Sequence, residues 1–373
     1  MIKLKINMTN KPTVAVAMSG GVDSSTTAAL LKEQGYRVIG ITMRLYTGFS
    51  TCCGLSDVED ARKVAEVMGF PFHVISFEKE FSSYVIDRFV SDYLHGRTPN
   101  PCVLCNQSLK FDYLLQKARE LGADYLATGH YAQITHDDQT GQYHLCKAVD
   151  IQKDQSYFLF SVTQPLLARL MFPLGGMTKD QTRELSRQLK LPVHDKSESQ
   201  DICFVSQGRY PEFVESWINY RKEFNQQDIP TKGNFVDIQG KVLGQHKGIH
   251  YYTVGQRSRL GIALGKPVYV AEIKADKNQV VLGDVDDLMR SECRVSDVNW
   301  ISGVSPVKPL EAVVKIRYRH EGALACLYPE KEGLVRIEFK TPQRAITPGQ
   351  AAVFYDGEIV VGGGWISEVI KPQ

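Results

Sequence analysis

The chain has 373 residues, more than a single hydrophobic core usually serves, so its length predicts two or three domains. Hydrophobic residues at 43%, charged residues at 23% and a net charge of +2 are those of an ordinary water-soluble globular protein, and they neither require nor exclude a nucleic acid as partner. No apolar run approaches the roughly 20 residues that span a bilayer, and the stretch MIKLKINMTNKP lacks the apolar segment of a secretory signal, so we expect a cytoplasmic protein without a membrane anchor.

The N-terminal part of the chain alternates apolar, β-branched runs with segments of helical periodicity. Strands are expected at TVAVAM (13–18), YRVIGITMRL (36–45), FHVISF (72–77) and ADYLATGHY (123–131). Helices are expected at SSTTAALLKEQG (24–35), SDVEDARKVAEVMG (56–69) and LKFDYLLQKARELG (109–122). Gly35 is the expected C-cap of the first helix and Ser56 the expected N-cap of the second. Strands that alternate with helices predict a doubly wound parallel sheet.

The sequence pattern changes twice after this region. From about residue 160 to 230 it is mainly helical, and beyond about 230 it consists of short β-rich runs separated by turn signals such as Asp356-Gly357. We therefore expect an α/β domain at 1–207 whose part near 160–207 is helical, a small central mixed or β domain at 208–288, and a C-terminal β-barrel-like domain at 289–373.

The stretch AMSGGVDSS (17–25) joins the first predicted strand directly to the first predicted helix. Gly20 and Gly21 allow a tight turn and a close approach of backbone N–H groups to a ligand, and the following helix presents its positive end. These groups form an anion cradle, but no GK[ST] follows, so the loop is not of the Walker A type. Asp23 could hold Mg²⁺ beside a pyrophosphate. An ordinary strand–helix turn is the alternative interpretation.

The string SGGVDS resembles the PP-loop of the N-type ATP pyrophosphatases. The resemblance implies that this loop binds ATP with Mg²⁺. It also implies an enzyme that cleaves ATP to AMP and pyrophosphate while it adenylates a substrate. Within that superfamily the substrates include small molecules and tRNA bases.

Eight cysteines are scattered along the chain, which indicates reduced thiols rather than a disulfide framework. Cys102 and Cys105 lie in TPNPCVLCNQSLKF (98–111), and Cys203 lies in the polar segment KSESQDICFVSQG (196–208), which we expect to be a mobile loop. A sulfur transferase needs such thiols. A persulfide on one cysteine delivers sulfur, and a second thiolate then releases the product and leaves a disulfide.

Eight motifs together resemble the tRNA-specific 2-thiouridylase family, and they occur in that family's order over nearly the whole chain. They are SGGVDS, TCCGLSDVEDAR (51–62), TPNPCVLCNQSLKF, LATGHYA (126–132), KDQSYFL (153–159), DICF (201–204), YTVGQRSRLGI (252–262) and TPGQAAVFYDGEIVVGGG (347–364). The resemblance implies ATP-dependent 2-thiolation of the wobble uridine of tRNA. In the implied reaction, uracil O2 is adenylated, sulfur comes from a cysteine persulfide, and AMP and pyrophosphate are released.

The resemblance also implies the roles of individual residues. Cys105 would be the nucleophile and Cys203 the persulfide carrier. The residues expected to bind ATP are Ala17, Met18, Ser19, Gly20, Gly21, Val22, Asp23, Ser24, Met43 and Gly129. Those expected to line the target base are Asn100, Pro101 and Cys102. Those expected to meet the tRNA are His130, Lys153, Asp154, Gln155, Arg317, Tyr318 and Gln350.

The resemblance implies that 1–207 is the catalytic N-type ATP pyrophosphatase domain and that its helical part near 160–207 binds tRNA. The implied partners are the anticodon arm of tRNA, held by the β-rich half, and a sulfur donor such as a cysteine desulfurase relay. The target base must leave its stack to be reached. An external reductant would reset a Cys105–Cys203 disulfide. We expect a monomer or a weak oligomer.

The sequence departs at Cys102 from a common version of the family's pattern, which has an aspartate at that place. A thiol is a poorer base than a carboxylate at neutral pH unless its pKa is lowered. We therefore give Cys102 no firm catalytic role.

The cysteines also permit other interpretations. Cys102 and Cys105 could form a zinc site with the vicinal pair at 52 and 53, or an iron–sulfur cluster with Cys203 and one open iron. The cysteines outside the proposed reaction are more simply small core residues, namely Cys52, Cys53, Cys146, Cys293 and Cys326.

Lys315, Arg317 and Arg319 alternate in VVKIRYRH, so a strand there would place all three on one face, as a solvated surface or a phosphate-binding strip. His130 ends a predicted strand, where functional groups of a doubly wound sheet collect.

Two other functions remain open from the residues alone. A PP-loop synthetase that adenylates a small molecule would leave the thiols and the β-rich half without a task. A metal- or RNA-binding protein without enzymatic activity would leave SGGVDS unexplained.

Overall fold

The structure is a computed structural model that describes residues 11–45, 54–197, 202–205, 209–221 and 229–371. Its strands are β1 (Thr13–Ala17), β2 (Arg37–Arg44), β3 (Phe72–Ser76), β4 (Tyr125–Ala127), β5 (Gln133–His136), β6 (Tyr143–Cys146), β7 (Leu170–Met171), β8 (Gly233–Val236), β9 (Val242–His246), β10 (Tyr269–Lys274), β11 (Gln279–Gly283), β12 (Met289–Trp300), β13 (Leu310–Lys315), β14 (Ala323–Pro329), β15 (Val335–Arg344), β16 (Ala351–Asp356) and β17 (Ile359–Ile370). Its α-helices are α1 (Val22–Glu33), α2 (Leu55–Met68), α3 (Glu78–Phe81), α4 (Asp87–Leu94), α5 (Pro101–Leu104), α6 (Leu115–Glu120), α7 (Gln164–Leu167), α8 (Lys179–Gln188) and α9 (Tyr210–Tyr220).

The N-terminal sheet is parallel, with strand order β3-β2-β1-β4-β7. Alternate residues of β1 enter different cores: Val14 and Val16 pack with α1 and α2 on one face, and Ala15 packs with α4 and α6 on the other. Helices therefore cover both faces, and the prediction of a doubly wound sheet is confirmed. The two-residue edge strand β7 was not predicted from the sequence.

The β-rich half contains two further sheets. Strands β10, β11, β8 and β9 form a four-stranded central sheet in that order. Strands β12, β15, β14, β13, β16 and β17 follow one another around a barrel that the pairing of β12 with β17 closes. The prediction of a C-terminal β-barrel is thus confirmed. The expected turn at Asp356-Gly357 joins β16 to β17, and Gly357 has the positive φ of +56° that this turn requires.

A hairpin from the catalytic half extends the barrel sheet. Its strands β5 and β6 pair with each other, and Cys146 of β6 lies opposite Ile359 of β17. The chain thus ties the N-terminal region to the barrel by backbone hydrogen bonds, an arrangement that was not predicted from the sequence.

The helix that carries Cys105 begins earlier than the expected 109–122. Asn100 caps it by accepting a hydrogen bond from Val103 N at 3.5 Å, and Pro101 occupies its first turn. Residues Cys105–Leu114 form a wider π-helical stretch between α5 and α6, so the helix runs without a break to Glu120. The Asn-Pro pair was the sequence signal for this start.

Three other local predictions were wrong. The N-cap of α2 is Gly54, whose N–H donates to the Asp57 carboxylate at 3.3 Å, and not Ser56. Strand β4 ends at Ala127, so His130 lies in the loop that follows. Strand β13 ends at Lys315, so Arg317 and Arg319 lie in a turn and do not share a strand face.

The cysteines expected in the core divide into three groups. Cys146 and Cys293 are buried, as predicted. Cys326 is only half-buried, because it alternates on β14 with the inward-facing Ala325 and Leu327. Cys52 and Cys53 lie outside the described residues. Over the ranges that the structure does describe, no helix is both long enough and apolar enough to cross a membrane.

A buried hydrogen bond between the catalytic half and the barrel gives a test of their association. The Tyr157 hydroxyl donates to Ala351 O at 2.9 Å. Tyr157→Phe leaves this acceptor without its donor, so we expect a loss of about 1–2 kcal/mol in the free energy of unfolding, measured by chemical denaturation. Tyr220→Phe is the matched control, because Tyr220 is 71% exposed. Equal stability of the two variants would contradict this account of the interface.

Candidate active site

The loop between β1 and α1 has a backbone that only glycine permits. Gly20 has a φ of +72°, and a Cβ added there would lie 2.2 Å from Asp57 O. Gly21 occupies the N-cap of α1 and has no side chain with which to cap the helix. The first N–H groups of α1, at the positive end of its dipole, are therefore left for an anion.

Ser19 and Ser24 form hydrogen bonds within this loop. The Ser24 hydroxyl donates to Gly21 O at 3.2 Å and accepts from Ser19 N at 3.1 Å. The two hydroxyl oxygens are 3.3 Å apart. Ser19 is exposed and Ser24 is buried, so the Ser19 hydroxyl is the one that a ligand in the loop could reach.

Asp23 is neutralised by a lysine that the sequence analysis missed. Lys179 Nζ donates to both carboxylate oxygens of Asp23, at 2.7 and 2.8 Å, and the Tyr131 hydroxyl donates to one of them at 2.9 Å. Lys179 is buried and is the first residue of α8. A lysine at a helix N-terminus opposes the helix dipole, and that conflict was the signal that could have identified it.

Lys196, also missed, clamps the outer side of the loop. Its ammonium donates to Gly20 O at 3.1 Å and to the carboxylates of Asp57 and Asp60, both at 2.7 Å. Partial burial opposes the charge, but the two carboxylates outweigh it and raise the pKa of Lys196 above its usual value. Lys196 therefore stays charged and holds the phosphate loop against α2.

The loop after β4 joins the phosphate loop to the helix of Cys105. A Cβ on Gly129 would lie 2.9 Å from Ser24 N, so the backbones touch there. The next residue, His130, places its ring 6.1 Å from the ring of Phe111 on the Cys105 helix. Met43, the other residue expected near the nucleotide, lies buried on β2.

His130 is held in its neutral form. Burial, and after it the positive charge of Lys110, hold the pKa of His130 well below its ordinary value. Its Nδ1 lies 2.7 Å from the Thr128 hydroxyl, and the Phe172 ring packs edge-on at 5.9 Å. At neutral pH the imidazole can therefore donate or accept a hydrogen bond without bringing a charge to the site.

Cys105 and Cys203 are both half-buried and pack against the same hydrophobic core. Burial raises the pKa of the Cys105 thiol, and Lys110 partly opposes this effect. Cys203 is anchored by its neighbour Phe204, whose ring lies 5.5 Å from Phe81. The described part of the expected mobile loop is thus fixed to the helices that flank Cys105.

Cys102, by contrast, is exposed. Its side chain does not join Cys105 and Cys203 in a ligand set, since the described residues contain no group of three or more potential metal ligands. The iron–sulfur interpretation therefore finds no ligand set among these three cysteines. The zinc interpretation also needs the vicinal pair at 52 and 53, which lies outside the described residues.

The barrel holds the segment that precedes the Cys105 helix. Gln350 Nε2 donates to Thr98 O and Pro99 O, both at 3.1 Å, and Thr98 N donates to Pro348 O at 2.9 Å. Asn100 is buried and caps the helix, as described above. The structure thus brings Gln350 and Asn100 together from opposite ends of the chain.

The KDQSYFL segment (153–159) forms hydrogen bonds with the backbone near the site. The Asp154 carboxylate is buried and accepts from Ala148 N at 3.0 Å, and from the hydroxyl of Ser156 at 2.9 Å. Gln155 exchanges two hydrogen bonds with the backbone of Tyr131, at 2.8 and 3.0 Å. Asp154 and Gln155 are thus engaged with the protein, while Lys153 is half-buried.

Tyr318 and Arg317 connect the barrel to this segment. The ring of Tyr318 lies 4.5 Å from that of Phe158, and Phe158 O accepts a hydrogen bond from Asn106 Nδ2 at 3.1 Å. Arg317 Nη1 donates to Arg344 O at 3.1 Å. A continuous run of contacts therefore leads from the residue after Cys105 to the surface of the barrel.

Three family models match consecutive parts of the chain. Family models match at residues 12–207 (tRNA methyl transferase HUP domain), 222–284 (tRNA methyl transferase PRC-barrel domain) and 290–366 (aminomethyltransferase beta-barrel domain). Among solved structures, a 4-thiouridine synthetase in complex with RNA and ATP is 15% identical, with a TM-score of 0.35 over 58% of this chain and 53% of that one.

Curated relatives match over nearly their whole length. The tRNA-specific 2-thiouridylase MnmA of Acetivibrio thermocellus is 50% identical, over 96% of this chain and 99% of its own. The protein of the same name from Solibacter usitatus is 49% identical, over 95% of this chain and 98% of its own. This similarity over nearly the whole length of both chains shows that the chain belongs to the tRNA-specific 2-thiouridylase family.

Proposed function

We propose that this protein is an ATP-dependent sulfurtransferase that converts the wobble uridine of tRNA to 2-thiouridine. The observation that supports this most directly is the loop at 128–131, which touches the phosphate loop through Gly129 and the Cys105 helix through His130. Adenylation and sulfur chemistry can therefore act on one bound base. Both reactions belong to the family described above.

ATP fits the β1–α1 loop by the geometry of the donors. The glycine backbone and the N-terminus of α1 offer N–H groups to the pyrophosphate part of the nucleotide. Mg²⁺ bound with the ATP would neutralise phosphate charge, and Asp23 is the carboxylate that would hold it. Because Lys179 occupies both oxygens of Asp23, the ion must share or replace this ammonium, which is then free to pair with a phosphate oxygen.

The first step activates an oxygen that is otherwise a poor leaving group. Uracil O2 attacks the α-phosphorus of ATP, the bond to the β-phosphate oxygen breaks, and pyrophosphate leaves on the glycine loop. The O2–AMP bond formed makes C2 electrophilic. Asn100, Pro101 and Cys102 would line the base, and neutral His130 would meet the RNA beside it without adding charge.

The second step moves one sulfur atom. A donor such as a cysteine desulfurase relay first charges Cys203 as a persulfide. Its terminal sulfur attacks C2 and expels AMP, so the transferred sulfur is bonded to C2 and still joined by a disulfide bond to Cys203 Sγ. The Cys105 thiolate then attacks the Cys203 sulfur, so a Cys105–Cys203 disulfide forms and 2-thiouridine departs. Attack of Cys105 on the persulfide before transfer, with hydrosulfide as the sulfur carrier, gives the same products.

Either order consumes two electrons that an external dithiol must return to the cysteine pair. The common packing of Cys105 and Cys203 against one core supports their approach within the folded protein. We expect the enzyme to act as a monomer or weak oligomer. Cys102, exposed at the site, takes no part in either step.

The thiols give the first test of the mechanism. With ATP, a persulfide donor and unmodified tRNA, we expect the wild-type protein to form 2-thiouridine, detected by mass spectrometry of the nucleosides. Cys105→Ser and Cys203→Ser should each abolish thiolation yet retain ATP binding and tRNA-dependent release of pyrophosphate. Cys326→Ser, on the outer face of the barrel, is the matched control and should remain active. Full thiolation by either active-site variant would overturn the mechanism.

The charge of Lys110 gives a second test, read from the pH dependence. Because burial raises the pKa of Cys105 while Lys110 lowers it, the thiol is mostly protonated at neutral pH and its alkylation should quicken about tenfold per pH unit below that pKa. Lys110→Met should raise the pKa and slow alkylation at each such pH. Lys110→Arg should preserve the profile.

The control for this series is Lys117→Met, on the same helix, whose ammonium pairs with Glu120 at 2.8 Å. Alkylation is assigned to Cys105 by peptide mass spectrometry. A profile for Lys110→Met that superimposes on the wild type would show that this lysine does not act on the thiol.

Gly129 tests the nucleotide site without touching a charge. A methyl group there would lie 2.9 Å from Ser24 N, so Gly129→Ala must displace the start of α1. We expect ATP affinity, measured by calorimetry, to fall at least about tenfold, the equivalent of roughly 1.4 kcal/mol. Gly176→Ala meets no atom within 4 Å and should bind ATP like the wild type. Unchanged affinity in Gly129→Ala would count against the assigned nucleotide position.

A further inference from the structure

One stretch of the central domain is free of acidic residues. The chain contains 42 Asp and Glu residues, yet none occurs between Asp237 and Glu272. The same stretch contains five lysines and arginines, at positions 241, 247, 257, 259 and 266. An uncompensated run of cations in a chain of nearly balanced charge indicates a surface suited to a polyanion.

Three of these cations gather on one loop, residues 257–267. The loop is closed at its base by two backbone hydrogen bonds, Gly255 N to Val270 O at 2.8 Å and Val270 N to Gln256 O at 2.9 Å. Buried Leu260 and Val268 anchor it in the core of the central domain. Backbone hydrogen bonds and buried side chains therefore fix both ends of the loop.

The three side chains stand around a concave surface. Arg257, Arg259 and Lys266 are exposed and line a cavity of about 490 Å³. None of them pairs with a carboxylate within the part of the chain that the structure describes. Their charge is thus available to a ligand and is not consumed by the fold.

The backbone of the loop is held in an unfavourable conformation at one of these residues. Arg259 has a φ of +59°, in the left-handed region that a residue with a Cβ rarely adopts. Such strain is maintained by surrounding structure and concentrates at functional sites. Here it turns a guanidinium toward solvent between two other cations.

The loop is continuous with the barrel residues beside the active site. The guanidinium of Arg344 lies 5.0 Å over the ring of Tyr269, which follows the loop directly. Arg344 O accepts the hydrogen bond from Arg317, and the neighbouring Tyr318 stacks near Phe158, as described above. Two cations, Arg344 and Arg317, thus form a cationic path between the central-domain loop and the Tyr318–Phe158 contact beside the Cys105 helix.

We propose that the loop 257–267 binds phosphates of the tRNA backbone at a second contact, remote from the target base. This proposal rests on the proposed function, since the polyanion that reaches the loop is the one whose base lies at Cys105. RNA places one negative charge on every nucleotide, so a strand fixed at the active site presents further phosphates along the cationic path. Arginine is suited to these oxygens because its planar fork binds them in pairs.

The test compares two triple variants of the full-length protein with the wild type. Arg257→Ala/Arg259→Ala/Lys266→Ala removes the loop cations, and Lys63→Ala/Lys308→Ala/Lys331→Ala removes three other exposed lysines as the matched control. Affinity for an unmodified tRNA transcript is measured from 50 to 300 mM salt. Each phosphate contact adds about 0.7–0.9 to the magnitude of the slope of log affinity against log salt. The slope of the loop variant should therefore be smaller in magnitude by about two to three.

The loop variant should also raise KM for tRNA at least about tenfold at low salt, with ATP affinity and kcat at saturating tRNA unchanged. The control variant should keep a slope within about one of the wild type. A loop variant with the wild-type slope, or a control variant with an equal loss, overturns the proposal. So does normal tRNA binding combined with slower sulfur uptake from a persulfide-carrying protein, which would assign the loop to the donor.

The proposed function and this inference fail in different ways. If the wild-type protein does not thiolate tRNA, the proposed function is wrong. If the wild type thiolates tRNA and the loop variant binds it with unchanged salt dependence, the function stands and the second contact is absent. If both variants have the unfolding temperature of the wild type, a difference in affinity reflects binding and not a loss of folding.

Discussion

The active site depends on a pair of hydrogen bonds that cross from the barrel to the catalytic domain. Gln350 donates to the carbonyl oxygens of Thr98 and Pro99, which precede the Cys105 helix. Gly349 packs so closely against the same segment that a Cβ on it would lie 2.8 Å from Thr98 O. Asn100, next along that segment, caps the helix. The barrel therefore fixes where the helix begins and with it the position of the Cys105 thiol. The barrel is therefore a structural support of the proposed catalytic site.

In the folded protein without substrate, the ionisable groups of the proposed site are either paired with an opposite charge or held in their uncharged form. Asp23 is matched by Lys179, and the ammonium of Lys196 is shared between two carboxylates and a loop carbonyl. Burial keeps His130 neutral and favours the protonated form of Cys105. A polyanionic nucleotide must therefore compete with partners already in place. The protonated thiol of Cys105 is also less readily oxidised than a thiolate would be.

Periodicity in the sequence predicted the parallel sheet and the barrel, because strands and helices with one buried face leave a regular apolar pattern. The short strand β7 and the hairpin β5–β6 were missed because their pairing is with distant segments and leaves little local signal. Motifs identified Cys105, Cys203 and the glycine loop as candidates, and their roles stay predictions. Lys179 and Lys196 were missed because their partners lie 156 and 139 residues away, so only the fold brings them together. Arg317 was assigned to a strand that ends two residues earlier, because alternation of charge continues into the turn.

The chemistry at the thiols cannot by itself select a tRNA, since uracil is common to every RNA. A site that activates O2 and replaces it with sulfur reads one base, whereas contacts to phosphates position the RNA without reading its sequence. Selection must then come from the shape that places one uridine in reach while phosphates meet fixed cations elsewhere. Arg317 and Tyr318 lie between the two regions, bonded to Arg344 on one side and packed on Phe158 at the other. On the proposed function, an RNA that rests on the barrel would act through these contacts on the helix of Cys105, and a tRNA that fits along its whole length would be favoured.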